Sequence, residues 1–245
     1  ERRITRGEFR ITDNDDLGTQ GMMSFSIARE RQVGSKRLNG RFWGGYLSRT
    51  SVESTADGDI NGVGVNAGIY NARALDNGLY SNFYAAGSVG IHAFDLEFDS
   101  SVSADGEYFY AGLFAGAGLS GVIEREAMQI RPRIGFDIGA GYASDADATQ
   151  TGTVDIDPAL GFRGYVETAF ITDFGQSSEG DASLSEEVAV TPRLFCDSEF
   201  GSSGTDCGLG GRFELSRFDP NTSIDWHLSL DVEATSDQLS VSFGI

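Results

Sequence analysis

Hydrophobic and polar residues alternate with a period of two along most of the chain. The clearest stretch runs from Met128 to Tyr142, where Met128, Ile134 and Phe136 share one face while the intervening polar residues share the other. The segments Leu160–Phe170 and Ile224–Val232 repeat this pattern. Successive side chains of a β-strand point to opposite faces, so the pattern predicts strands with one apolar and one polar face.

Twelve segments of this kind predict an all-β protein. They cover approximately residues 5–14, 21–33, 38–54, 60–75, 79–98, 107–124, 128–143, 154–172, 187–197, 207–218, 222–234 and 237–245. No run approaches the ~20 consecutive apolar residues of a membrane helix, but a barrel strand crosses a membrane with about 9–11 residues, half of them polar. We therefore predict a single domain over residues 1–245, an antiparallel up-and-down transmembrane β-barrel of about 12 strands.

The predicted connections alternate between two types. Tight connections are predicted at 34–36, 76–78, 125–127 and 219–221, and longer acidic ones at 13–16, 57–59, 99–107, 144–151 and 196–207. Outer-membrane barrels have short periplasmic turns and longer external loops. Two connections depart from this alternation, because residues 173–186 are long where a turn is expected and Ser236 is at a short link where a loop is expected.

Aromatic residues near the predicted strand ends have two interpretations. They form girdles at the membrane interfaces, or they pack inside the protein as aromatic residues do in many sheets. The residues concerned are Phe42, Trp43, Tyr46, Tyr80, Tyr108, Tyr110, Tyr142, Phe218 and Trp226.

Composition narrows the functional classes. The chain has 33 glycines and 4 prolines, which favours a Gly-rich sheet protein over a disordered one. Its formal charge of -19, from 37 acidic and 18 basic residues, would repel a phosphate backbone, so a nucleic-acid partner is excluded. The chain opens at Glu1 without an initiator Met, and we expect that a signal peptide has been removed or that the sequence starts internally.

Charged residues of both signs fall on the polar faces of the predicted strands. Opposite charges facing one another across a narrow pore stabilise it and can coordinate a polypeptide or ions, whereas on a soluble sheet they form a solvated face. The residues predicted to line the lumen are Arg131, Arg133, Asp137, Arg163, Glu167, Arg193, Arg212, Glu214, Asp225, His227, Asp231 and Glu233.

Cys196 and Cys207 flank a Gly/Ser-rich segment between two predicted strands. An even number of cysteines in an exported chain favours a disulfide, here one that closes a hairpin. The alternative, a metal or redox pair, lacks both C-x-x-C spacing and a neighbouring His.

Other motifs carry little chemistry. Gly116–Gly121 matches the dinucleotide pattern GxGxxG but lies late in a predicted strand and opens no helix. Asp57 begins a segment resembling a calcium loop, whose twelfth position is Gly68 where a bidentate Glu is required. A hydrolase would have to use His92 or His227, and no serine nucleophile is indicated beside either one. We predict neither a catalytic site nor a metal or cofactor site.

The last residues alternate up to the chain end. Leu239, Val241, Phe243 and Ile245 share one face, which resembles the terminal strand recognised by the outer-membrane assembly machinery. Together with the stretches 41–46 and 68–73, which are rich in glycine and aromatic residues, and the turn at 76–78, this segment makes the chain resemble the translocator domain of an autotransporter.

This resemblance implies a non-enzymatic barrel in the bacterial outer membrane that anchors, or helps to export, an N-terminal passenger. Its implied partners are outer-membrane lipid, the barrel-assembly machinery and a passenger segment or envelope protein. The alternatives are a porin-like passive diffusion pore and a structural subunit of a larger envelope assembly. A soluble sandwich or lectin is the alternative fold.

Overall fold

The computed structural model describes residues 2–15, 18–53, 56–98, 102–126, 128–148, 152–154, 158–177, 184–199, 204–219 and 224–245. Nearly all of these residues lie in β-strands. Within them, no helix is both long and apolar enough to cross a membrane.

Twelve long strands form the body of the molecule. In chain order they are β1 (Arg2–Asn14), β2 (Gly18–Val33), β3 (Arg37–Glu53), β4 (Asp57–Ala74), β5 (Leu79–Phe98), β6 (Val102–Gly121), β7 (Met128–Ala143), β8 (Ala159–Ser177), β9 (Leu184–Glu199), β10 (Thr205–Asp219), β11 (Ile224–Ala234) and β12 (Gln238–Gly244). The short strand Ile123–Arg125 pairs with the start of β7, and Ala146–Ala148 pairs with Gly152–Val154 in a small ribbon between β7 and β8.

These strands close into a barrel. Each strand pairs antiparallel with the next, and β12 pairs back onto β1 in a register that runs from Glu8 opposite Gly244 to Asn14 opposite Gln238. Gly7 and Ile245 exchange two backbone hydrogen bonds of 2.9 Å at the seam. Closure pairs the strand edges that an open sheet would leave exposed. The prediction of a twelve-stranded up-and-down barrel is confirmed.

The two faces of the sheet differ in what they contact. Large apolar side chains such as Met23, Leu47 and Val65 lie on one face and are 57%, 57% and 59% exposed. On the other face, side chains from strands that are not neighbours touch, as where Arg163 of β8 reaches Glu233 of β11. Such contacts form across the concave side of a closed sheet, so this is the inner face and the apolar residues form the outer face. An apolar outer band is what the hydrocarbon of a membrane covers.

The barrel has two distinct ends. The terminal end, which carries Arg2 and Ile245, has tight turns in which Gly34 and Gly78 adopt φ angles of 67° and 73°. The opposite end, here called the loop end, carries the connections that follow the odd-numbered strands, from β1–β2 to β11–β12.

Several loop-end connections are shorter than predicted. Asp57 and Asp59 lie in β4, Cys196 in β9 and Cys207 in β10, because the strands continue beyond the apolar band. In that region the backbone stays paired although neither face must be apolar, so the hydrophobic alternation fades while the strand persists. Parts of the predicted connections, including 99–101, 149–151, 178–183 and 220–221, lie outside the described residues.

Candidate functional site

The strand registers place all twelve predicted lumen residues on the inner face. Arg163 pairs with Asp137, Glu167 with both Arg133 and Arg193, and the series continues across β10 and β11. The strands contribute Arg131, Arg133 and Asp137 (β7), Arg163 and Glu167 (β8), Arg193 (β9), Arg212 and Glu214 (β10), and Asp225, His227, Asp231 and Glu233 (β11). These residues therefore concentrate on one wall, formed by β7 to β11.

Arg193 occupies the centre of this wall. Its Nε donates to Glu167 Oε2 at 2.9 Å and its Nη1 to Glu233 Oε1 at 2.5 Å, while Nη2 lies 3.5 Å from Asp231 Oδ2. The side chain is only 12% exposed, and those of its three acidic partners are 8–16% exposed. Three carboxylates thus converge on one largely buried guanidinium, an arrangement that fixes the positions of β8, β9 and β11 relative to one another.

Each of these carboxylates also has a second arginine. Arg133 Nη1 donates to Glu167 at 3.0 Å, Arg163 Nη1 to Glu233 at 2.9 Å, and Arg212 Nε to Asp231 at 2.6 Å. We call these eight residues the arginine network: Arg133, Arg163, Arg193, Arg212, Glu167, Asp197, Asp231 and Glu233. Four positive and four negative side chains leave it close to neutral.

Asp197 belongs to this network although it was not among the predicted lumen residues, since it lies where the predicted strand 187–197 overlaps the predicted connection 196–207. Arg163 donates two hydrogen bonds to the Asp197 carboxylate, from Nε to Oδ1 at 2.6 Å and from Nη2 to Oδ2 at 2.8 Å. Period-two alternation continued two residues past Phe195 would have placed Asp197 on the lumen side, since Arg193, Phe195 and Asp197 share a face of β9.

The remaining predicted lumen residues make local contacts. Asp225 pairs with Arg2 across β12, and His227 Nε2 lies 3.3 Å from Glu214 Oε1. Asp137 accepts a 3.0 Å hydrogen bond from the Tyr84 hydroxyl, and Arg131 bonds to Gln129. The Arg2–Asp225, His227–Glu214 and Arg131–Gln129 contacts extend the polar wall toward the terminal end, and the Asp137–Tyr84 contact lies level with Arg163.

The opposite wall carries an aromatic cluster that the sequence did not reveal. His92 Nε2 lies 3.3 Å from the Tyr46 hydroxyl and Nδ1 lies 3.1 Å from the Tyr108 hydroxyl. The Tyr110 ring lies 5.5 Å from the His92 ring. Tyr46, Tyr108 and Tyr110 therefore belong to the inner surface and not to an interfacial girdle, whereas Trp43 and Trp226 lie on the outer face and are 41% and 43% exposed.

Glycines on the inner face make room for aromatic rings of neighbouring strands. The Tyr70 ring lies over Gly40, so a Cβ on Gly40 would overlap it. This placement lets the Tyr70 hydroxyl donate to Glu30 Oε1 at 2.7 Å, across the width of β3. Glycine is needed here because of the close approach and not because of a special backbone angle.

Cys196 and Cys207 form a disulfide, as predicted. They are directly opposite one another in β9 and β10, on the same face as Leu194 and Leu209. The disulfide therefore links two strands on the outer face near the loop end instead of closing a long loop. A disulfide is typical of an oxidising compartment such as the bacterial envelope.

Leu239, Val241, Phe243 and Ile245 lie on the outer face of β12 or directly after it, and each is more than a third exposed. β12 is also the strand that closes the barrel against β1. No group of three or more potential metal ligands occurs among the described residues.

Comparison with known proteins identifies the fold. No family model matches the chain, and no curated protein matches its sequence. Among solved structures, the β domain of the Bordetella autotransporter BrkA is similar with a TM-score of 0.82 at 12% identity, over 99% of this chain and 96% of that one. The translocator domain of the autotransporter NalP from Neisseria meningitidis gives a TM-score of 0.78 at 10% identity, over 99% and 86% of the two chains. The transport unit of AIDA-I from Escherichia coli gives 0.60 at 9% identity, over 100% and 89%.

The chain thus has the fold of an autotransporter translocator barrel. Its outer face is apolar over the middle of the strands and its inner face is polar, which is the pattern of a β-barrel that spans a lipid bilayer. The chain is therefore a membrane-spanning β-barrel with this fold.

Proposed function

We propose that residues 1–245 form one domain that anchors an N-terminal passenger in the outer membrane and provides the route by which it reaches the cell surface. The observation that carries this proposal is a closed barrel whose polar interior opens beside its own N-terminus. The role requires no catalysis, and the barrel acts as a non-enzymatic scaffold. The outer face of β12, with Leu239, Val241, Phe243 and Ile245, is the segment we assign to recognition by the barrel-assembly machinery.

The lumen has the right width for a single chain segment. Twelve strands spaced about 4.8 Å apart and tilted by about 40° close a ring with a backbone diameter of about 24 Å. Inward side chains occupy about 5 Å on each side, half the spacing of packed sheets, which leaves about 14 Å. An α-helix with its side chains is about 10–12 Å across. The barrel therefore accommodates one helix or an extended chain, and excludes a folded domain.

The inner walls suit a polypeptide that must pass without binding tightly. The charges of the arginine network are mutually neutralised, but Arg133, Arg163 and Arg212 keep about a third of their side-chain surface open. They offer hydrogen-bond donors, while the Tyr46–His92–Tyr108 cluster on the other wall offers apolar and polar contacts. Neither wall presents a strong net charge that would hold a segment in place.

Barrels of this class place their short turns in the periplasm, so we assign the terminal end to the periplasm. A passenger joined before Arg2 then starts on the periplasmic side and reaches the surface only if its linker crosses the lumen. The 18 residues of β4 rise about 3.3 Å each along a tilted strand, giving a barrel about 45 Å tall.

The test is a fusion of a signal peptide, an epitope tag and a linker to residue 1, expressed in a Gram-negative host. A linker of about 35 residues spans about 52 Å even as a helix, whereas one of eight residues reaches about 26 Å when fully extended. We expect intact cells to bind antibody against the tag, and external protease to remove it, only with the long linker. Boiled and unboiled gel migration shows that both fusions contain a folded barrel.

If neither tag binds antibody or is cleaved by external protease in cells that contain folded barrel, the export route is refuted. If purified barrel in planar bilayers then gave steady conductance, the diffusion-pore alternative would replace it. If the tags are retained in the membrane fraction but are never exposed at the surface, only the anchoring part of the proposal stands.

A further inference from the structure

Six exposed arginines cluster on the outer face at the terminal end of β1 to β4. Arg3 lies on β1, Arg29 and Arg31 on β2, Arg37 and Arg41 on β3, and Arg73 on β4. They make up a third of the 18 basic residues in a chain of net charge -19. The cluster is therefore a strong local reversal of the overall charge.

The strand pairing places like charges directly against one another. Arg3 is opposite Arg29, Arg29 is opposite Arg41, and Arg37 is opposite Arg73. Like charges in directly opposed positions destabilise a sheet. None of the six forms an ion pair with any residue in the part of the chain that the structure describes, so the described residues leave these charges open to an external anion.

The Arg3–Arg29–Arg41 row borders the apolar band. Arg41 precedes Trp43 by two residues, about 7 Å along the strand, and Arg29 lies over the Trp43 ring at 5.6 Å. Tryptophan prefers the boundary between hydrocarbon and headgroups. Phe25 lies on the membrane side of Trp43, and the apolar Ile69 is directly opposite Arg41. With Trp43 at that boundary, the row lies at the edge of the apolar band, where lipid phosphates are within reach of the guanidinium groups.

Other arginines on the outer face of this end are differently placed. Arg217 of β10 lies 3.7 Å from Glu186, and Arg125 is flanked in sequence by Glu124 and Glu126. The unpaired arrangement thus belongs to one side of the barrel, the quarter formed by β1 to β4.

We infer that the row Arg3, Arg29 and Arg41 binds the phosphate groups of anionic phospholipids in the leaflet at the terminal end. Arg31, Arg37 and Arg73 lie behind it and extend the positive surface toward the aqueous side. A guanidinium donates two parallel hydrogen bonds to a phosphate, and adjacent anionic headgroups relieve the repulsion within the row. The inference depends on membrane insertion and not on the passenger.

Native mass spectrometry of detergent-released barrel tests this assignment, with phosphatidylglycerol, phosphatidylcholine and lipid A as separate probes. The test variant is R3Q/R29Q/R41Q. The matched control is R6Q/R10Q/R217Q, which removes the same charge from two inner-face positions and from the arginine beside Glu186. Unboiled gel migration establishes folding, and R41Q alone serves if the triple variant does not fold.

We expect wild type to retain phosphatidylglycerol in preference to phosphatidylcholine, the test variant to lose about tenfold in apparent affinity for phosphatidylglycerol, and the control to lose less than twofold. With R41Q alone we expect a loss of about threefold. Equal losses in test and control variants would overturn the assignment, since only net charge would matter. Absence of lipid preference in wild type, or a preference for lipid A over phosphatidylglycerol, would also overturn it.

Discussion

Replacing Arg193 by glutamine tests whether the arginine network stabilises the barrel. Glutamine keeps much of the volume but removes the charge that Glu167, Glu233 and Asp231 share. All four side chains are at most 16% exposed, so water screens the remaining carboxylates poorly.

The expected cost follows from the geometry. Removing one partner of a buried ion pair costs about 3–5 kcal/mol, because an uncompensated charge stays buried. Each of the three carboxylates keeps a second arginine, Arg133, Arg163 or Arg212, so we expect the lower part of that range, about 3 kcal/mol.

Urea unfolding of the barrel in lipid vesicles, followed by tryptophan fluorescence, measures this loss. The control is R49Q, which breaks the Arg49–Asp59 pair, whose side chains are 66% and 35% exposed, and should destabilise the barrel far less than R193Q because solvent screens this pair. Adding E233Q to R193Q should cost less than the sum of the two single changes, because the unpaired charge is removed with its partner. The reasoning fails if R193Q destabilises the barrel no more than R49Q does.

Three further predictions address other parts of the barrel. Replacing Cys196 and Cys207 by alanine should cost about 2–3 kcal/mol in the same urea titration, since the bond closes a separation of 11 residues, and wild type treated with reductant should lose as much. Gly40→Val should lower the temperature at which the compact gel band disappears, because the added carbons overlap the Tyr70 ring; adding Tyr70→Ala should restore part of the loss, and no restoration would contradict the packing. Val65→Arg on the outer face should cost about 2–4 kcal/mol of folding free energy in lipid vesicles, and a cost near zero would mean that this position is not in hydrocarbon.

The number of strands was predictable because the membrane imposes the pattern. Alternation over Met128–Tyr142 predicted β7, observed as Met128–Ala143, since one face of that strand must be apolar. Asp59 was assigned to a connection, and Cys196 to the overlap of a strand and a connection, because neighbouring residues are small or acidic. Outside the apolar band the sheet is held by backbone pairing, and side-chain patterns no longer report its extent.

The inner contacts were harder to predict than the faces. Period two placed Arg163 and Glu233 on polar faces, but their 2.9 Å contact depends on barrel curvature and on registers between strands 70 residues apart. The His92 cluster was missed because it depends on strand register: Tyr108 is directly opposite His92 in the β5–β6 pair, and Tyr46 of β3 reaches His92 across β4. Local sequence carries no signal for such cross-barrel distances.

Thiol labelling along β5 in lipid vesicles tests the central claim most directly. Single cysteines replace Ala86 and Ser88 on the inner face, and Val89 and Ile91 on the outer face, where the native side chains are 44% and 55% exposed. The native cysteines are joined in a disulfide and do not compete. A charged, water-soluble thiol reagent should modify positions 86 and 88 and leave 89 and 91 unmodified until the vesicles are dissolved. Rapid modification of positions 89 and 91 in intact vesicles would show that the apolar outer face contacts water, and would contradict a membrane-spanning barrel.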